Sequence, residues 1–351
     1  MEQLIRLQKQ LIPELLEVLE VRYKLLRNIK YRQPIGRRLL SATVQISERI
    51  VRSETNFLKD QGLIDITSAG MNITKEGEDV LNGLREFMRE TSGINLLEAQ
   101  LKKNLGVHQV IIINGSVEED DTLFEELGKA AANYLKQILH DDIIISLTGG
   151  RTIKEVVDKF PVLQKYKNVK VLPGRGGMGK ETELQANTLV EVLANKMSAS
   201  YEQLHIPDNL SQTLFDAMIQ ESEIKDIFTA IRNSEVLLHG IGLAKEMCEK
   251  RSLTGEVKGR IIECGAVGEA FGHYFNCNGE VVYSMPAIGI RREEIDAIPH
   301  MIAVSAGVNK AQAIAAIEKG RSNSVLITDE ETGRAVLKIL KETPCNIHSK
   351  E

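Results

Sequence analysis

The 351-residue sequence has no tryptophan, and aromatic residues make up only 4% of it. Readers of single strands and RNA stack bases on aromatic platforms, so a chain this poor in rings points instead to duplex readout by side-chain hydrogen bonds. The four cysteines, Cys248, Cys264, Cys277 and Cys345, form no Cys-x-x-Cys, and the seven histidines form no His-x-x-x-His. No metal site is therefore expected, and buried free thiols are the default reading of the cysteines. A leader peptide and any apolar run of about twenty residues are also lacking, which predicts a cytoplasmic protein with no membrane partner. A hydrophobic content of 42% at this length predicts two or three ordinary cores.

Against a net charge of −5, residues 21–59 hold ten basic side chains (Arg22, Lys24, Arg27, Lys30, Arg32, Arg37, Arg38, Arg49, Arg52, Lys59) and only Glu48 and Glu54 as acids. Self-repelling charge in one stretch is relieved by a polyanion opposite it, and nucleic acid is the first candidate; a solvated helix face is the plain alternative. Gly36-Arg-Arg-Leu-Leu-Ser41 reads as a short helix, residues 42–45 as a turn, and residues 47–60 as a second helix with Ser47 as N-cap and an Ile46–Val51 staple. Ile50, Val51, Phe57 and Leu58 are expected to face inward. Arg49, Arg52, Ser53 and Asn56 then lie outward at the spacing of a recognition helix, where Arg grips guanine and Asn adenine. Residues 63–67 and 71–74 alternate about Ser68-Ala-Gly70 as a two-stranded wing, and Thr74 caps a further helix. Helix, turn, helix, hairpin, helix is the winged-helix order, which favours double-stranded DNA as partner.

Ahead of it, Leu4, Leu7, Leu11, Leu15, Val18, Val21, Leu25 and Ile29 recur in steps of three and four, either as a seam for a second chain or as packing within the domain. Pro13 divides this stretch into a short leading helix and a longer one over about residues 13–31. Past a linker helix over residues 91–106, short apolar runs alternate with helical patterns: residues 107–114, 143–147, 169–172, 236–240, 301–305 and 324–328. That is the mark of a Rossmann-like parallel α/β sheet, which binds ligands at the carboxyl ends of its strands. The expected organisation is a winged helix-turn-helix domain over residues 1–90, the linker over 91–106, and an effector-binding domain over 107–351.

The loops after those runs suit phosphate. Thr148-Gly149-Gly150-Arg151-Thr152 follows a strand and opens a helix, so backbone N–H groups, hydroxyls and a helix dipole converge there. Gly174-Arg-Gly-Gly-Met-Gly-Lys180 has the glycine skeleton of nucleotide loops. Glu181, however, stands where a magnesium-binding Ser or Thr belongs, and no acidic residue ends a strand about twenty residues on to hold a ribose. Together with a Walker-B-like Val325-Leu-Ile-Thr-Asp329, it leaves a nucleotide hydrolase as a minor alternative, and Arg175 is better explained as a phosphate ligand.

The chain resembles the SorC class of bacterial sugar-responsive transcription regulators over nearly its whole length. The resemblance rests on Gly36-Arg-Arg with Ser41-Ala, Ile46-Ser-Glu-Arg, Phe57-Leu-Lys, Thr148-Gly-Gly, Arg175-Gly-Gly, Gln185-Ala-Asn-Thr, His239-Gly-Ile-Gly, Glu269-Ala-Phe-Gly, Phe275-Asn and Asp296-Ala-Ile-Pro. It implies a non-enzymatic repressor of a glycolytic operon, with a winged helix-turn-helix joined to an effector domain related to sugar-phosphate isomerases. The implied effector is fructose 1,6-bisphosphate or a related phosphosugar, and no cofactor. Carried over by position, Gly149, Gly150, Thr152, Arg175, Gln185, Arg251, Glu269 and Lys310 are the implied effector contacts. Arg151 departs from an expected Thr, and Lys250 from an expected Arg. Both join the effector set with altered geometry, since Lys lacks the arginine fork. The DNA-binding set is Arg37, Arg38, Ser47, Glu48, Arg49, Arg52, Ser53 and Asn56. A dimer or tetramer is expected, because one winged domain offers few base contacts. A phosphosugar isomerase or deaminase is the enzyme alternative, with His239 and His273 as its acid–base candidates; a satisfied core histidine is the plainer reading of both.

Overall fold

The computed structural model of the protein describes residues 11–176, 181–206, 210–285 and 292–342; Leu4, Leu7, the expected leading helix, Lys180 and Cys345 lie outside them. The chain divides into two compact units, one of the residues up to Leu97 with Asn114–Leu123, the other of Glu98–Ile113 and the residues from Phe124.

In the first unit, helix α1 (Pro13–Arg32) takes its proline in the opening turn, where a missing N–H leaves no bond unmade. Helix α2 (Arg37–Val44) runs one turn past Ser41, because Ala42, Thr43 and Val44 continue the helix until Gln45 turns left-handed at φ 56°. The turn expected over 42–45 is correspondingly shorter. Helix α3 (Glu48–Asp60) starts at Ser47, whose hydroxyl accepts from the Ile50 N–H at 3.4 Å. Strands β1 (Ile64–Ile66) and β2 (Met71–Ile73) pair antiparallel with Asp65 opposite Asn72, and Thr74 caps helix α4 (Lys75–Gly83) by accepting from the Gly77 N–H at 3.0 Å. Leu25, Leu26, Ile29, Leu40, Val44, Val51, Leu58, Ile64 and Met71 close one apolar core.

Two expectations for α3 are corrected. Ile50 and Phe57 are 43% and 39% exposed, while Thr55 is fully buried with its hydroxyl donating to the Val51 carbonyl at 2.7 Å. A β-branched threonine that satisfies itself on its own helix can take an inward position that a hydrophobicity count assigns elsewhere. The leucine stripe of α1 divides as well: Leu25 and Ile29 join the core, and Leu11, Leu15 and Val18 are exposed.

The second unit is built on a seven-stranded parallel sheet of β3 (Gln109–Ile113), β4 (Ile144–Leu147), β5 (Lys170–Pro173), β6 (Ser200–Tyr201), β7 (Val236–His239), β12 (His300–Val304) and β13 (Ser324–Asp329). Its order is β3-β13-β12-β7-β4-β5-β6. Strands β7 and β13 are buried at every residue, which is why they read as continuous apolar runs rather than alternating ones. A second sheet, antiparallel and unforeseen, joins β8 (Gly242–Leu243), β9 (Ala266–Ala270), β10 (His273–Asn276) and β11 (Val281–Ser284) in the order β11-β10-β9-β8.

From β4 the chain steps outward to β5 and β6, then returns to β7 on the other side of β4. The carboxyl ends of β4 and β7 therefore flank a topological switch point, the crevice where open α/β sheets take ligands. The thiols depart from expectation too: Cys248 is buried and free, Cys264 is free but exposed, and Cys277 is disulfide-bonded.

Candidate functional site

The basic stretch of the first unit separates into two populations. On α1, Arg22 pairs with Glu54 at 2.7 Å, Lys24 with Glu119 at 3.3 Å, Lys30 with Glu78 at 3.6 Å, and Arg32 with Asp121. Arg27 is buried; its Nη2 donates to Asp120 Oδ2 at 2.7 Å, and its Nη1 donates to the Asn114 carbonyl at 3.2 Å. Asn28 Nδ2 donates to the same Asp120 oxygen at 2.9 Å, while the other carboxylate oxygen accepts from the Thr122 hydroxyl at 2.6 Å and its N–H at 3.1 Å. Burial pushes the Asp120 carboxyl up, but the Arg27 guanidinium and the bonds from Thr122, Arg27 and Asn28 hold it below its ordinary value. The sequence signal for this cluster was the acidic run Glu118-Glu119-Asp120-Asp121, opposite in sign to α1.

The second population is in water. Arg49, Arg52, Ser53 and Asn56 all stand exposed on one side of α3, with Arg38 exposed and Arg37 half-buried on α2. Neither Arg49 nor Arg52 has an ion pair among the described residues. Ser47 and Glu48 sit at the start of the same helix, but the Ser47 hydroxyl already serves the cap. Phe57 is roofed by the Arg22 guanidinium, 3.6 Å above its ring.

In the second unit, the turn after β4 brings several of the expected effector residues together. Gly150 caps the helix Arg151–Lys159 at φ 123°, a backbone that residues with a side chain rarely adopt, and its N–H donates to the Leu184 carbonyl at 2.9 Å. A Cβ on Gly149 would stand 2.4 Å from that carbonyl oxygen, so glycine is what lets Gln185 and the start of the helix Ala186–Met197 close onto the turn. Thr152 is buried in the first turn of its helix, and a Cβ on Gly240 after β7 would lie 3.3 Å from its Oγ1. The Gly240 N–H in turn donates to Thr148 Oγ1 at 3.4 Å. Arg151 is exposed with its guanidinium over the Phe124 ring at 4.1 Å.

Arg175, Arg251 and Glu269 form a buried ion triad. Arg251 Nη2 donates to Glu269 Oε1 at 2.8 Å and Arg175 Nη1 at 3.3 Å, and the Gly272 N–H adds a third bond at 2.7 Å. Burial pushes the Glu269 carboxyl up; Arg175 and the Gly272 N–H oppose that rise. Arg251 Nη1 also donates to the Tyr274 hydroxyl at 3.3 Å, a partner 23 residues away with no local sequence signal. Two guanidiniums thus converge on one buried carboxylate, and each presents a fork of N–H donors of the kind that suits a phosphate. Lys310 begins the helix Ala311–Glu318; burial holds its ammonium below the usual lysine range, Glu246 opposes this, and Lys250 and Arg151 push the same way as burial.

The remaining motifs resolve differently. Asp329 of the Walker-B-like run accepts from the Thr332 N–H at 2.9 Å as an N-cap, which accounts for its carboxylate without a magnesium ion. His273 Nδ1 lies 2.7 Å from Ser284 Oγ, as a satisfied core histidine should. His239 does not fit that reading: it is fully buried, and its Nε2 has no hydrogen-bond partner among the described residues.

Residues 18–88 match the family described as "CggR N-terminal DNA binding domain", and residues 89–338 match that described as "Putative sugar-binding domain". The chain is 40% identical over 338 residues to the central glycolytic genes regulator of Bacillus subtilis (strain 168), covering 96% of this chain and 99% of that protein. It is 38% identical over 339 residues to the regulator of the same name from Priestia megaterium (strain DSM 319 / IMG 1521), again covering 96% and 99%. Among solved structures, the full-length sorbitol operon regulator SorC from Klebsiella pneumoniae superposes with a TM-score of 0.65 over 91% of this chain and 98% of its own, at 19% identity, a likeness of fold.

Proposed function

The chain belongs to the SorC family of sugar-binding transcription regulators, beside the central glycolytic genes regulators, and on that premise we propose that it represses a glycolytic operon under the control of a phosphorylated sugar. The expected effector is fructose 1,6-bisphosphate, acting on DNA affinity or on assembly. The observation that carries this reading is the juxtaposition at the sheet's switch point: a glycine turn opening a helix, and two buried arginines, Arg175 and Arg251, converging on Glu269. The turn at Gly149 and the first turn of the helix that Gly150 opens, with Thr152, offer an anion seat, although the Gly150 N–H itself is held by the Leu184 carbonyl. Lys310 with Lys250 and Arg151 supplies further positive charge, and Glu269 and Gln185 suit the hydroxyls between two phosphates. On the DNA side, Arg49, Arg52, Ser53 and Asn56 read the major groove of the operator, while Arg37 and Arg38 contact its backbone. The protein works as a homo-oligomer on repeated half-sites in the cytoplasm, with the exposed Leu11, Leu15 and Val18 of α1 as a candidate subunit contact.

Calorimetric titration with fructose 1,6-bisphosphate, run beside an operator-binding assay, tests the reading. Arg175→Ala removes a buried charged ligand to the phosphate, a loss of about 2–5 kcal/mol or roughly thirtyfold and more in affinity. The variant still binds the operator but no longer responds to the sugar. Unchanged sugar affinity in the variant would put the pocket elsewhere.

A further inference from the structure

His239 ends β7 at the switch point, and its surroundings specify what it can bind. Its Nδ1 faces the Gly240 carbonyl at 3.3 Å, and Phe271 packs edge-on against the ring with centroids 4.9 Å apart. A carbonyl only accepts, so Nδ1 carries the proton of the neutral imidazole and Nε2 is left with a bare lone pair. Burial pushes the imidazole down to about 4, with the Gly240 carbonyl and Glu269 opposing and Arg321 adding to the fall, so the ring stays neutral at ordinary pH. No described protein group lies within bonding distance of Nε2. Such an orphan acceptor costs stability in the ligand-free protein, and a polar site with an unmet acceptor calls for a donor.

The next residue, Gly240, donates its N–H to Thr148 Oγ1 and leaves room for no more than 3.3 Å between an added Cβ and Thr152 Oγ1, so the ring follows directly on the anion turn, and it also feels the charge of Glu269. A fully ionised phosphate has no hydrogen to give a bare lone pair, whereas a sugar hydroxyl does. We propose that His239 is a specificity-determining residue of the effector site, its unprotonated Nε2 accepting a hydrogen bond from a hydroxyl of the bound phosphosugar. This rests on the phosphosugar reading above and adds to it: the cations select for phosphate, and His239 selects for the hydroxylated carbon chain between the phosphates. A site built to bond a hydroxyl rejects an analogue that lacks it, because its own acceptor is then left unmet.

Two ligands and two variants test this by calorimetry. Fructose 1,6-bisphosphate and hexane-1,6-diol bisphosphate carry the same two phosphates, but only the first has hydroxyls between them. His239→Leu weakens binding of the sugar bisphosphate about tenfold and leaves the diol bisphosphate unchanged. His239→Gln, which offers an amide oxygen at a similar reach, keeps most of the sugar affinity. In thermal unfolding without ligand, His239→Leu is at least as stable as the wild type, since the orphan acceptor is gone; a merely structural histidine would make it less stable. Equal weakening of both ligands, or undiminished sugar binding in His239→Leu, overturns the proposal and leaves a bound water as the partner of Nε2. Should the wild type bind neither bisphosphate, the phosphosugar reading falls, and the role of His239 falls with it.

Discussion

Arginine does opposite work in the two units. On the outer face of α3, Arg49 and Arg52 stand in water, where they cost the fold almost nothing and keep their charge for a polyanion. At the switch point of the parallel sheet, Arg175 and Arg251 are buried and fixed on Glu269, where charge is costly and its geometry is set before any ligand arrives. The contrast teaches what each site can tolerate. An exposed arginine can be removed and only binding suffers, whereas a buried one is part of both the binding chemistry and the fold. The largest test of that contrast is Glu269→Ala, which removes the carboxylate that two buried guanidiniums share and should destabilise the effector unit by about 3–5 kcal/mol in thermal unfolding. A melting temperature equal to wild type would show that the triad is far better hydrated than its burial implies.

The first unit has its own buried pair, so the contrast is not simply one between domains. Asp120→Asn keeps the shape of the Arg27 cluster but removes its charge, and should cost about 1.5–3 kcal/mol near neutral pH. The sign with pH follows from the direction of the shift. The folded Asp120 carboxyl is held below its unfolded value, so its stabilisation is complete above about 3.9 and is lost as pH falls through the lower folded value. Unfolding curves of wild type and variant should therefore converge in acid; a constant gap down to low pH would assign the loss to packing rather than charge.

What was legible in the sequence follows the same line between buried and exposed. Strands such as β4, β7, β12 and β13 read clearly because both faces are covered and each holds a run of apolar or small residues, broken only at an end by His239, His300 or Asp329. Two-residue β6, exposed at the sheet edge, left no such trace. The antiparallel sheet was missed because its strands mix charged, aromatic and glycine residues: Glu269 belongs to the ion triad, and Gly268 has space only for a hydrogen against Ala313. Among the site residues, the glycine turn was legible from its strand–turn–helix setting. The pairing of Arg175 with a glutamate 94 residues on was a matter of tertiary structure, and the resemblance, not the spacing, put both on one list. The inward place of Thr55 and the exposure of Ile50 and Phe57 could not be read from polarity alone, since a threonine that bonds its own helix is apolar enough to bury.

On the exposed side of the comparison, Arg52→Ala should lower affinity for the operator by about 1–3 kcal/mol, with much less effect on random duplex and no change in melting temperature. Equal losses on both duplexes would demote Arg52 from a base contact to a phosphate contact and narrow the reading face to Arg49, Ser53 and Asn56.

The smallest expected effect is the most discriminating about charge itself. Lys24 and Arg38 look alike in the sequence, two cations in one basic stretch, and both would be expected to touch the DNA backbone and so weaken specific and random binding alike. The structure separates them. Lys24 pairs with Glu119 at 3.3 Å, beside Arg27 on Asp120 and Arg32 on Asp121, so the acidic loop already plays the part of the polyanion along α1. Arg38 is exposed and pairs with no acid among the described residues. Each phosphate contact that is lost lowers the salt slope of binding by about one. Arg38→Ala should do this on operator and random duplex equally, whereas Lys24→Ala should leave the slope where it is and change stability by about 0–1 kcal/mol, as surface pairs do. A salt slope that falls in Lys24→Ala would mean that Glu119 releases its lysine when DNA arrives, and that the acidic loop competes with the operator for the same charge.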